Sequence, residues 1–449
     1  MERELIALDV DALSAALEEE RFRHVAGIER RPGLAAVFDA RSRAAHRRTV
    51  DALREAGAAE LAAKVAALRA ERWAAEDEEA WRAAESAAVV EDDLEGPRPL
   101  AEVEASIAGE RNRRRRRTLA SAAAAVACPP AREAAVEGRA LARAEVGLAP
   151  DWEEVVAADA LLSASDDAYR EVLTWHAQRE ADLAPAPAGD LTRADLLFVL
   201  ALHPWRGLFP PGMLALVVER TAAALRLDLG RIRVDDGARP AQWAGAHACG
   251  RRVSLRRRGG AGDWLDLVDA VGRALAAAAH PAHLRHPAAA ATAGALLSGL
   301  LLDRGFLGAR LGVERKHARD LVRALALRQL FRLRTAAAAL RVASEVERGT
   351  KGAAWHERHR EALSLAALAT WPTGLAARDG DAGVLLATLR GAARAEVVRR
   401  SLVERHDEDW WKNPRSADAV GSLLAAGGTW AGDEPPLRVA SDRLVALLG

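Results

Sequence analysis

Apolar residues recur every three to four positions over most of the chain, with charged residues between them. The stretch LAAKVAALRAERWAAEDEEAWRAAE, from the first 88 residues, is one example. This period places the apolar side chains on one face of an α-helix. The stretch EDDLEGPRPL at 91–100 interrupts the pattern, and its glycine and proline are expected to end a helix. Helical spacing resumes at about 101–182 and continues after residue 263, so the sequence predicts a mainly helical protein.

The clearest linker is APAPAGDLT at 184–192. Thr192 is expected to cap the next helix, with Asp195 three residues later, as in a capping box. The linker divides the chain into an N-terminal helical region, 1–182, and a second region, 183–449. We expect the two regions to form one continuous unit.

The pattern changes between residues 231 and 258. RIRVDD, WAGAHA and RRVSLRRR are short runs with alternating polarity, separated by glycine and proline. Such runs predict two or three antiparallel strands. The next segment, WLDLVDAVGRALAAAAH, predicts a single central helix at 264–279 with Asp263 as its cap. The predicted fold is therefore mainly α, with one small antiparallel sheet before a central helix.

The balance of charges argues against a nucleic-acid partner or an anionic membrane surface. Lys plus Arg and Asp plus Glu both number 64, so the net charge is zero. The arginine run at 111–117 lies within a predicted helix and near many acids, which favours internal ion pairs or a solvated face over a nucleic-acid patch. Cys128 and Cys249 lie far apart without a CxxC motif, as is usual in a reducing compartment.

No segment of the sequence has the pattern of a membrane span or a signal peptide. The apolar run at 287–302 is shorter than the roughly 20 residues that a spanning helix needs. The N-terminus begins with acids rather than with basic residues and an apolar core. The sequence therefore predicts a soluble, cytoplasmic protein.

Seven segments between about residues 100 and 430 occur in an order that is typical of one enzyme family. They are DDAYREVLTW, TRADLLFVL, GLFPPG, LRLDLGRIRVDDGARP, RRGGAGDWLDLVDAVGRAL, SGLLLDRGFL and DEDWWKNPRSADAVGSLLAAGG. In this order they resemble the oligopeptidase-type, M3-like zinc metallopeptidases. The resemblance implies an M3-peptidase-like all-helical clamshell with a small sheet beside the active-site helix.

In that family the helix after the sheet carries HExxH, in which two histidines hold zinc and the glutamate polarises water. LVDAVGRAL matches the family's L-F-H-E-x-G-H-A-L with Gly272 on the shared glycine. Asp269 then stands at the first histidine position, Ala270 at the glutamate and Arg273 at the second histidine. A guanidinium cannot coordinate a metal. Asp269 and Arg273 are instead spaced for an intrahelical ion pair.

The other elements of the family's site are also missing from this sequence. The third zinc ligand, a glutamate, belongs within AAAATAGALLSG at 288–299, which contains no acid. The family's oxyanion-stabilising tyrosine and histidine belong within 377–394, which contains neither, and the only tyrosine is Tyr169. The resemblance therefore implies a retained scaffold with no catalytic residue, no zinc motif and no cofactor.

Three histidines follow the central helix closely. His280, His283 and His286 could together bind a transition metal. Pro281 and Pro287 make this segment loop-like, and no carboxylate or cysteine lies beside it in sequence. A surface loop is therefore the favoured interpretation.

The last predicted strand, RRVSLRRR, is rich in arginine. In the resembling family, an edge strand beside the active-site helix pairs with an extended peptide, which requires no metal. If this strand is that edge, its positive charge favours an acidic ligand; equally, arginines protect an exposed edge from aggregation. The candidate residues are Arg251, Arg252, Ser254, Arg256, Arg257 and Arg258.

Three functions are consistent with these features. The first is a catalytically inactive peptidase homologue that binds an acidic peptide or a protein partner. The second is a residual zinc oligopeptidase whose metal site the alignment misses. The third is a structural partner of an active paralogue.

Overall fold

The chain is mainly helical, as its apolar periodicity predicts. A computed structural model describes residues 2–127, 130–185, 189–378, 381–425 and 433–449. Cys128 and the middle of the predicted linker, 186–188, lie outside these residues. The helices of the described residues are α1 (Glu2–Val25), α2 (Leu34–Ala40), α3 (Arg47–Glu55), α4 (Ala59–Trp73), α5 (Ala75–Ala87), α6 (Leu100–Ile107), α7 (Arg113–Val126), α8 (Pro130–Glu145), α9 (Trp152–Ala181), α10 (Arg193–Val199), α11 (Leu214–Ala224), α12 (Ala261–Ala279), α13 (Pro287–Ser298), α14 (Arg304–Leu311), α15 (Arg315–Glu347), α16 (Ala353–Ala367), α17 (Ala382–His406), α18 (Ser416–Ala425) and α19 (Val439–Leu448).

The predicted sheet forms in the predicted place, but one of its strands runs in an unexpected direction. Its strands are β3 (Arg233–Asp235), β4 (Gly245–Cys249) and β5 (Arg252–Arg256), in the order β3-β5-β4. Strands β4 and β5 are antiparallel because a tight turn at Gly250, whose φ is 56°, connects them. Strand β3 pairs with the other side of β5 and is parallel to it. The expectation of a purely antiparallel sheet is wrong for β3.

A second, smaller sheet lies where the sequence suggested only the end of a helix. Strand β1 (Val89–Asp92) pairs antiparallel with strand β2 (Gly96–Pro99). The Asp92 carboxylate accepts a hydrogen bond from the Leu94 amide at 3.1 Å, and Gly96 adopts a φ of 76°. A turn side chain and a left-handed glycine therefore close a hairpin rather than end a helix.

The buried side chains form one large core and smaller ones. The large core extends from α9 to α19 and includes β5 and α12. A separate core joins α1 to α4. Helix α9 packs against α15 and α19 and contributes to the large core.

Helix α12 is the continuous central helix that the sequence predicts. It contacts β4 and β5 and also packs along α13. Trp264 is buried. The helix begins at Ala261, so Asp263 lies inside its first turn and is not its N-cap. The Asp263 carboxylate instead holds the segment that leads into the helix, because it accepts hydrogen bonds from the amides of Arg258 at 2.8 Å and Gly259 at 2.7 Å.

Helices α12, α13 and α17 approach one another closely through small residues. A Cβ atom on Gly272 of α12 would lie 2.6 Å from the carbonyl oxygen of Ala293 on α13. A Cβ atom on Gly391 of α17 would overlap Ala291 of α13. Only glycine permits such backbone approach, so these residues fix the spacing of three helices.

Helix α1 binds to the sheet and to the loop that follows α12. The Asp11 carboxylate accepts hydrogen bonds from the His283 amide at 2.8 Å and pairs with the His283 ring at 2.9 Å. Glu18 pairs with Arg285 at 2.6 Å. The Trp243 amide donates to the carbonyl of Val25 at 3.0 Å. The first helix is therefore part of the surroundings of the central helix.

The arginine run of α7 forms internal ion pairs, which confirms the interpretation favoured by the sequence. Arg116 and Arg117 both contact the buried Asp195 carboxylate at 2.6 Å. Asp195 and Thr192 also form the predicted capping box of α10. Burial alone would raise the pKa of Asp195, but hydrogen bonds from Arg117 and Arg116 outweigh it and lower that pKa below its ordinary value.

Among the described residues, no single helix is both long and apolar enough to cross a membrane. One pair of helical segments, Pro287–Leu302 and Arg304–Leu311, passes that test together, but it is bent by 77°.

The close approach of α12 and α13 predicts that an added methyl group lowers stability at Gly272 but not at an uncrowded glycine. Gly272→Ala is expected to destabilise the protein by about 1–3 kcal/mol, because the methyl group would strike backbone. Gly421→Ala in α18 is the matched control, since its added Cβ meets nothing within 4 Å. The control is expected to be neutral or stabilising by up to about 1 kcal/mol. Urea unfolding measures both, and equal effects would contradict the packing.

The Asp195 ion pairs predict a pH-dependent stability. The pKa of Asp195 is lower in the folded protein than in the unfolded chain, where it is about 3.9. The contribution of Asp195 to the free energy of unfolding is therefore complete above that unfolded pKa and is lost as the pH falls towards the folded pKa. Asp195→Asn is expected to cost about 3 kcal/mol at neutral pH and progressively less below about pH 4. Asp190→Asn, which removes an exposed partner of Arg117 and Arg113, is the control and is expected to cost under about 1 kcal/mol. A deficit for Asp195→Asn that does not change with pH would contradict the ion-pair role.

Candidate functional site

Asp269 and Arg273 form the intrahelical ion pair that their spacing predicts. The Arg273 Nε atom donates to Asp269 Oδ2 at 2.7 Å. The Arg273 side chain is 28% exposed and the Asp269 side chain 14%, so the pair is largely shielded from solvent without being fully buried. The charges at the two histidine positions implied by the resemblance therefore neutralise each other.

The residue of α13 that faces this pair is Gly294. A Cβ atom there would lie 2.7 Å from Asp269 Oδ1 and 3.0 Å from Arg273 Cγ. Gly294 belongs to the segment in which the resemblance places the third zinc ligand, and it offers no side chain. Ala270, at the position of the general base, is buried and apolar.

These residues do not fit a zinc ion. Zinc sites in proteins use histidine, cysteine or carboxylate ligands, usually three or four of them. Here a single carboxylate, Asp269, is engaged by a guanidinium, and the facing residue is glycine. Over the residues that the structure describes, no group of three or more histidine, cysteine or acidic side chains is arranged to hold a metal.

A pocket opens directly above the ion pair. It encloses about 850 Å³ of empty space, part of which is open to solvent, and lies between helices α12, α13, α15, α17 and α19. Leucine and alanine side chains form much of its wall, and Thr388 and Ala392 of α17 contribute to it. A cavity therefore lies beside the residues that the resemblance places at the zinc site.

The segment in which the resemblance places the oxyanion-stabilising residues contributes Thr388 and Ala392 to the wall of this pocket. Residues 379–380 of that segment lie outside the described residues. The chain's only tyrosine, Tyr169, cannot substitute, because it is buried and its hydroxyl donates to the carbonyl of Ala367 at 3.2 Å.

Sequence reasoning missed the charged residues of the pocket wall. Arg332 of α15, Glu396 and Arg399 of α17, and Arg443 of α19 all line it. These residues are distant in sequence and share no motif with the central helix. Only the packing of the four helices brings them together.

The arginine-rich strand β5 is not an edge, so the condition on which a peptide-binding role for it depended is not met. It lies between β3 and β4, and both of its backbone edges are paired. Ser254 is buried and accepts a hydrogen bond from Gln242 at 3.0 Å. The outer strand of the sheet on the side of α12 is instead β4, one edge of which pairs with no strand of the described residues.

The arginines of this region mostly bind other parts of the same chain. Arg252 pairs with Glu19 of α1, and Arg256 donates to the carbonyl of Gln242 at 2.8 Å. Arg257 pairs with Asp236 at 2.5 Å.

Arg258 pairs with Asp266 at 2.5 Å, and Arg251 is exposed beside the turn. Since four of the five arginines have partners in the fold, their charge gives little support to an acidic ligand at β5.

The three histidines after the central helix have separate partners. His280 Nε2 contacts the carbonyl of Leu424 at 3.1 Å. The His283 ring pairs with Asp11 at 2.9 Å, and His286 Nδ1 accepts from the Ala288 amide at 3.1 Å as the N-cap of α13. Each imidazole has a structural role of its own, which supports the interpretation favoured over metal binding.

The shielded ion pair predicts a specific loss of stability. Arg273→Ala is expected to cost about 1–2 kcal/mol, more than a surface arginine, because Asp269 remains half-buried without its partner. Arg319→Ala, at an exposed position of α15, is the control and is expected to change stability by less than about 0.5 kcal/mol. The double variant Asp269→Asn/Arg273→Ala is expected to recover part of the loss in thermal or urea unfolding. A double variant less stable than Arg273→Ala alone would contradict the pairing.

No protein-family model and no curated protein sequence matches the chain. Its fold is similar to several solved structures. A structure described as an oligoendopeptidase F aligns with a TM-score of 0.57 and 11% identity, over 95% of this chain and 84% of that one. An oligoendopeptidase F from Bacillus anthracis str. Ames gives a TM-score of 0.53 and 10% identity, over 96% and 84%. Metallocarboxypeptidase 1 of Trypanosoma cruzi gives 0.51 and 11%, over 98% and 95%. At these identities the similarity establishes the fold alone: the chain has a mainly helical, metallopeptidase-like fold.

Proposed function

We propose that this protein is a non-catalytic relative of the oligopeptidase-type metallopeptidases, a pseudopeptidase that binds a peptide or a segment of a protein partner. The observation that carries the proposal is the Asp269–Arg273 ion pair facing Gly294. At the positions that the resemblance assigns to zinc ligands, this arrangement offers a self-neutralised pair and no metal ligand set, which supports the proposal. Hydrolysis by the family's route needs a metal, a general base and oxyanion donors together.

Two features support a binding role for the cleft. The pocket above the ion pair is large and has a mixed apolar and polar wall, as ligand sites usually do. Strand β4 has one edge that no other strand of the described residues covers, and it lies beside α12. An extended peptide can add to such an edge through main-chain hydrogen bonds, which need no metal.

An active paralogue is one protein partner that this proposal includes. Pairing with such a paralogue would use the same fold as a structural subunit, without catalysis. Co-purification from the native host measures this directly, and a chain recovered only as a monomer would count against a permanent partner.

The alternative is a residual zinc oligopeptidase. It requires a tightly bound zinc ion in each chain and peptide cleavage that a chelator abolishes. Elemental analysis of the untagged full-length protein separates the two functions. Stoichiometric zinc with chelator-sensitive cleavage would overturn the proposal.

Restoring the motif residues is expected not to restore proteolysis. In the triple variant Asp269→His/Ala270→Glu/Arg273→His, Gly294 still supplies no third ligand and Thr388 and Ala392 supply no oxyanion donor of the family's kind. Each missing oxyanion donor typically costs roughly 100- to 1000-fold in rate. The measurement is cleavage of a quenched fluorescent peptide with added zinc, using the unmodified protein as the control. Chelator-sensitive cleavage by the triple variant would show that the remaining machinery is present.

A further inference from the structure

The pocket above the Asp269–Arg273 pair carries more positive than negative groups. Four guanidinium groups line it, against two carboxylates. The guanidinium groups belong to Arg273, Arg332, Arg399 and Arg443, and the carboxylates to Asp269 and Glu396. A cavity with such an excess attracts anions.

Both carboxylates are already neutralised inside the pocket. Asp269 accepts from Arg273 at 2.7 Å. Glu396 accepts two hydrogen bonds from Arg399, at 2.8 Å and 2.7 Å, in a bidentate arrangement. Among the described residues, the hydrogen bonds that both carboxylates accept come from arginines other than Arg332 and Arg443, although the charge of Glu396 still acts on Arg443 through space.

Arg332 has only a distant acidic partner. Its Nη1 atom lies 3.6 Å from Asp266 Oδ1, which is longer than a hydrogen bond. The other oxygen of Asp266 is bound by Arg258 at 2.5 Å. The strongest partner of Asp266 is thus Arg258, and Arg332 keeps most of its capacity to donate.

Arg443 lacks an ion pair altogether among the residues that the structure describes. Its Nη1 atom donates to the backbone carbonyl of Gly299 at 3.4 Å, a long and weak contact. Burial, followed by the nearby charge of Arg399, lowers the pKa of Arg443 to about 10. A partly buried cation without a close acidic partner gains stability when an anion is placed beside it.

The rest of the wall is suited to an organic ligand rather than to a bare inorganic ion. Leucine and alanine side chains surround the arginines, and Gln329 and Thr388 add neutral hydrogen-bonding groups. An apolar group next to an anionic one would be matched by this surface.

We propose that this pocket binds the carboxylate of an acidic peptide, held between Arg332 and Arg443. This inference rests on the proposed function and names its ligand class. The carboxylate belongs either to an Asp or Glu side chain or to the C-terminus, because both offer the same planar pair of acceptor oxygens to a guanidinium.

Isothermal titration of the full-length protein with four acetylated peptides tests the ligand class. The probe has the sequence Ala-Leu-Leu-Glu with a free C-terminus, and the other three carry Gln for Glu, an amide at the C-terminus, or both changes. The doubly neutral peptide is expected to bind at least about tenfold more weakly than the doubly acidic one. The two singly neutral peptides then assign the carboxylate to the side chain or to the C-terminus. Equal affinity for all four peptides would overturn the inference.

Substitutions test the location. Arg443→Gln and Arg332→Gln are each expected to weaken binding of the doubly acidic peptide by at least about tenfold and to leave the affinity for the doubly neutral peptide unchanged. Arg443→Lys is expected to retain part of the affinity, because it keeps the charge but not the bidentate geometry. Arg319→Gln, exposed on the same helix as Arg332, is the matched control and is expected to bind as the unmodified protein does. Unchanged affinity in both the Arg443 and Arg332 variants would overturn the assignment to this pocket.

The two proposals fail in different ways. If all four peptides bind equally well and none is cleaved, the carboxylate inference is overturned and the binding function stands. If zinc-dependent cleavage is found, the proposed function is overturned whichever peptide binds best. Circular dichroism of each variant establishes that it is folded before its affinity is compared.

Discussion

The backbone contact between α12 and α13 is the constraint on which the rest of the centre depends. Gly272 and Gly294 let the two helices approach until a single added Cβ atom on either would strike its neighbour. At that spacing the side chains of Asp269 and Arg273 have no facing side chain to meet, so they turn to each other. The same contact leaves room on the α15 and α17 sides, where the pocket opens.

An ion pair and a bound metal ion give a site different electrostatic properties. A bound divalent cation holds several anionic or neutral donors around it, and those donors are costly to bury without it. The Asp269–Arg273 pair has no such dependence, because each charge is neutralised within one turn of one helix. The remaining arginines of the wall, Arg332 and Arg443, then determine the sign of the electrostatic potential inside the cavity.

The sequence predicts the features that depend on local order. The helical period, the central helix and the capping box of Thr192 and Asp195 are all set by residues within a few positions of one another. The Asp269–Arg273 pair is predictable for the same reason. The hairpin of β1 and β2 was missed because each strand is only four residues long and the second contains two prolines.

Features that depend on long-range pairing could not be predicted. The alternation of RRVSLRRR indicates a strand but not whether that strand lies at the edge or in the middle of the sheet. Its central position results from pairing with β3, which precedes the β4–β5 hairpin in the sequence. The wall of the pocket is a further example, since it joins residues of five helices that no motif relates. The partners of Arg256 and Arg257 likewise follow only from the folded chain.

The contacts of α1 have a consequence for how the chain folds during synthesis. Asp11 binds His283 across 272 residues, and Glu18 binds Arg285 across 267. Helix α1 therefore leaves the ribosome long before these partners have been synthesised. Contacts of such sequence separation slow folding, because a long loop must close before they form. The N-terminal helices have their own small core in the meantime, which buries part of their apolar surface until the central helix arrives.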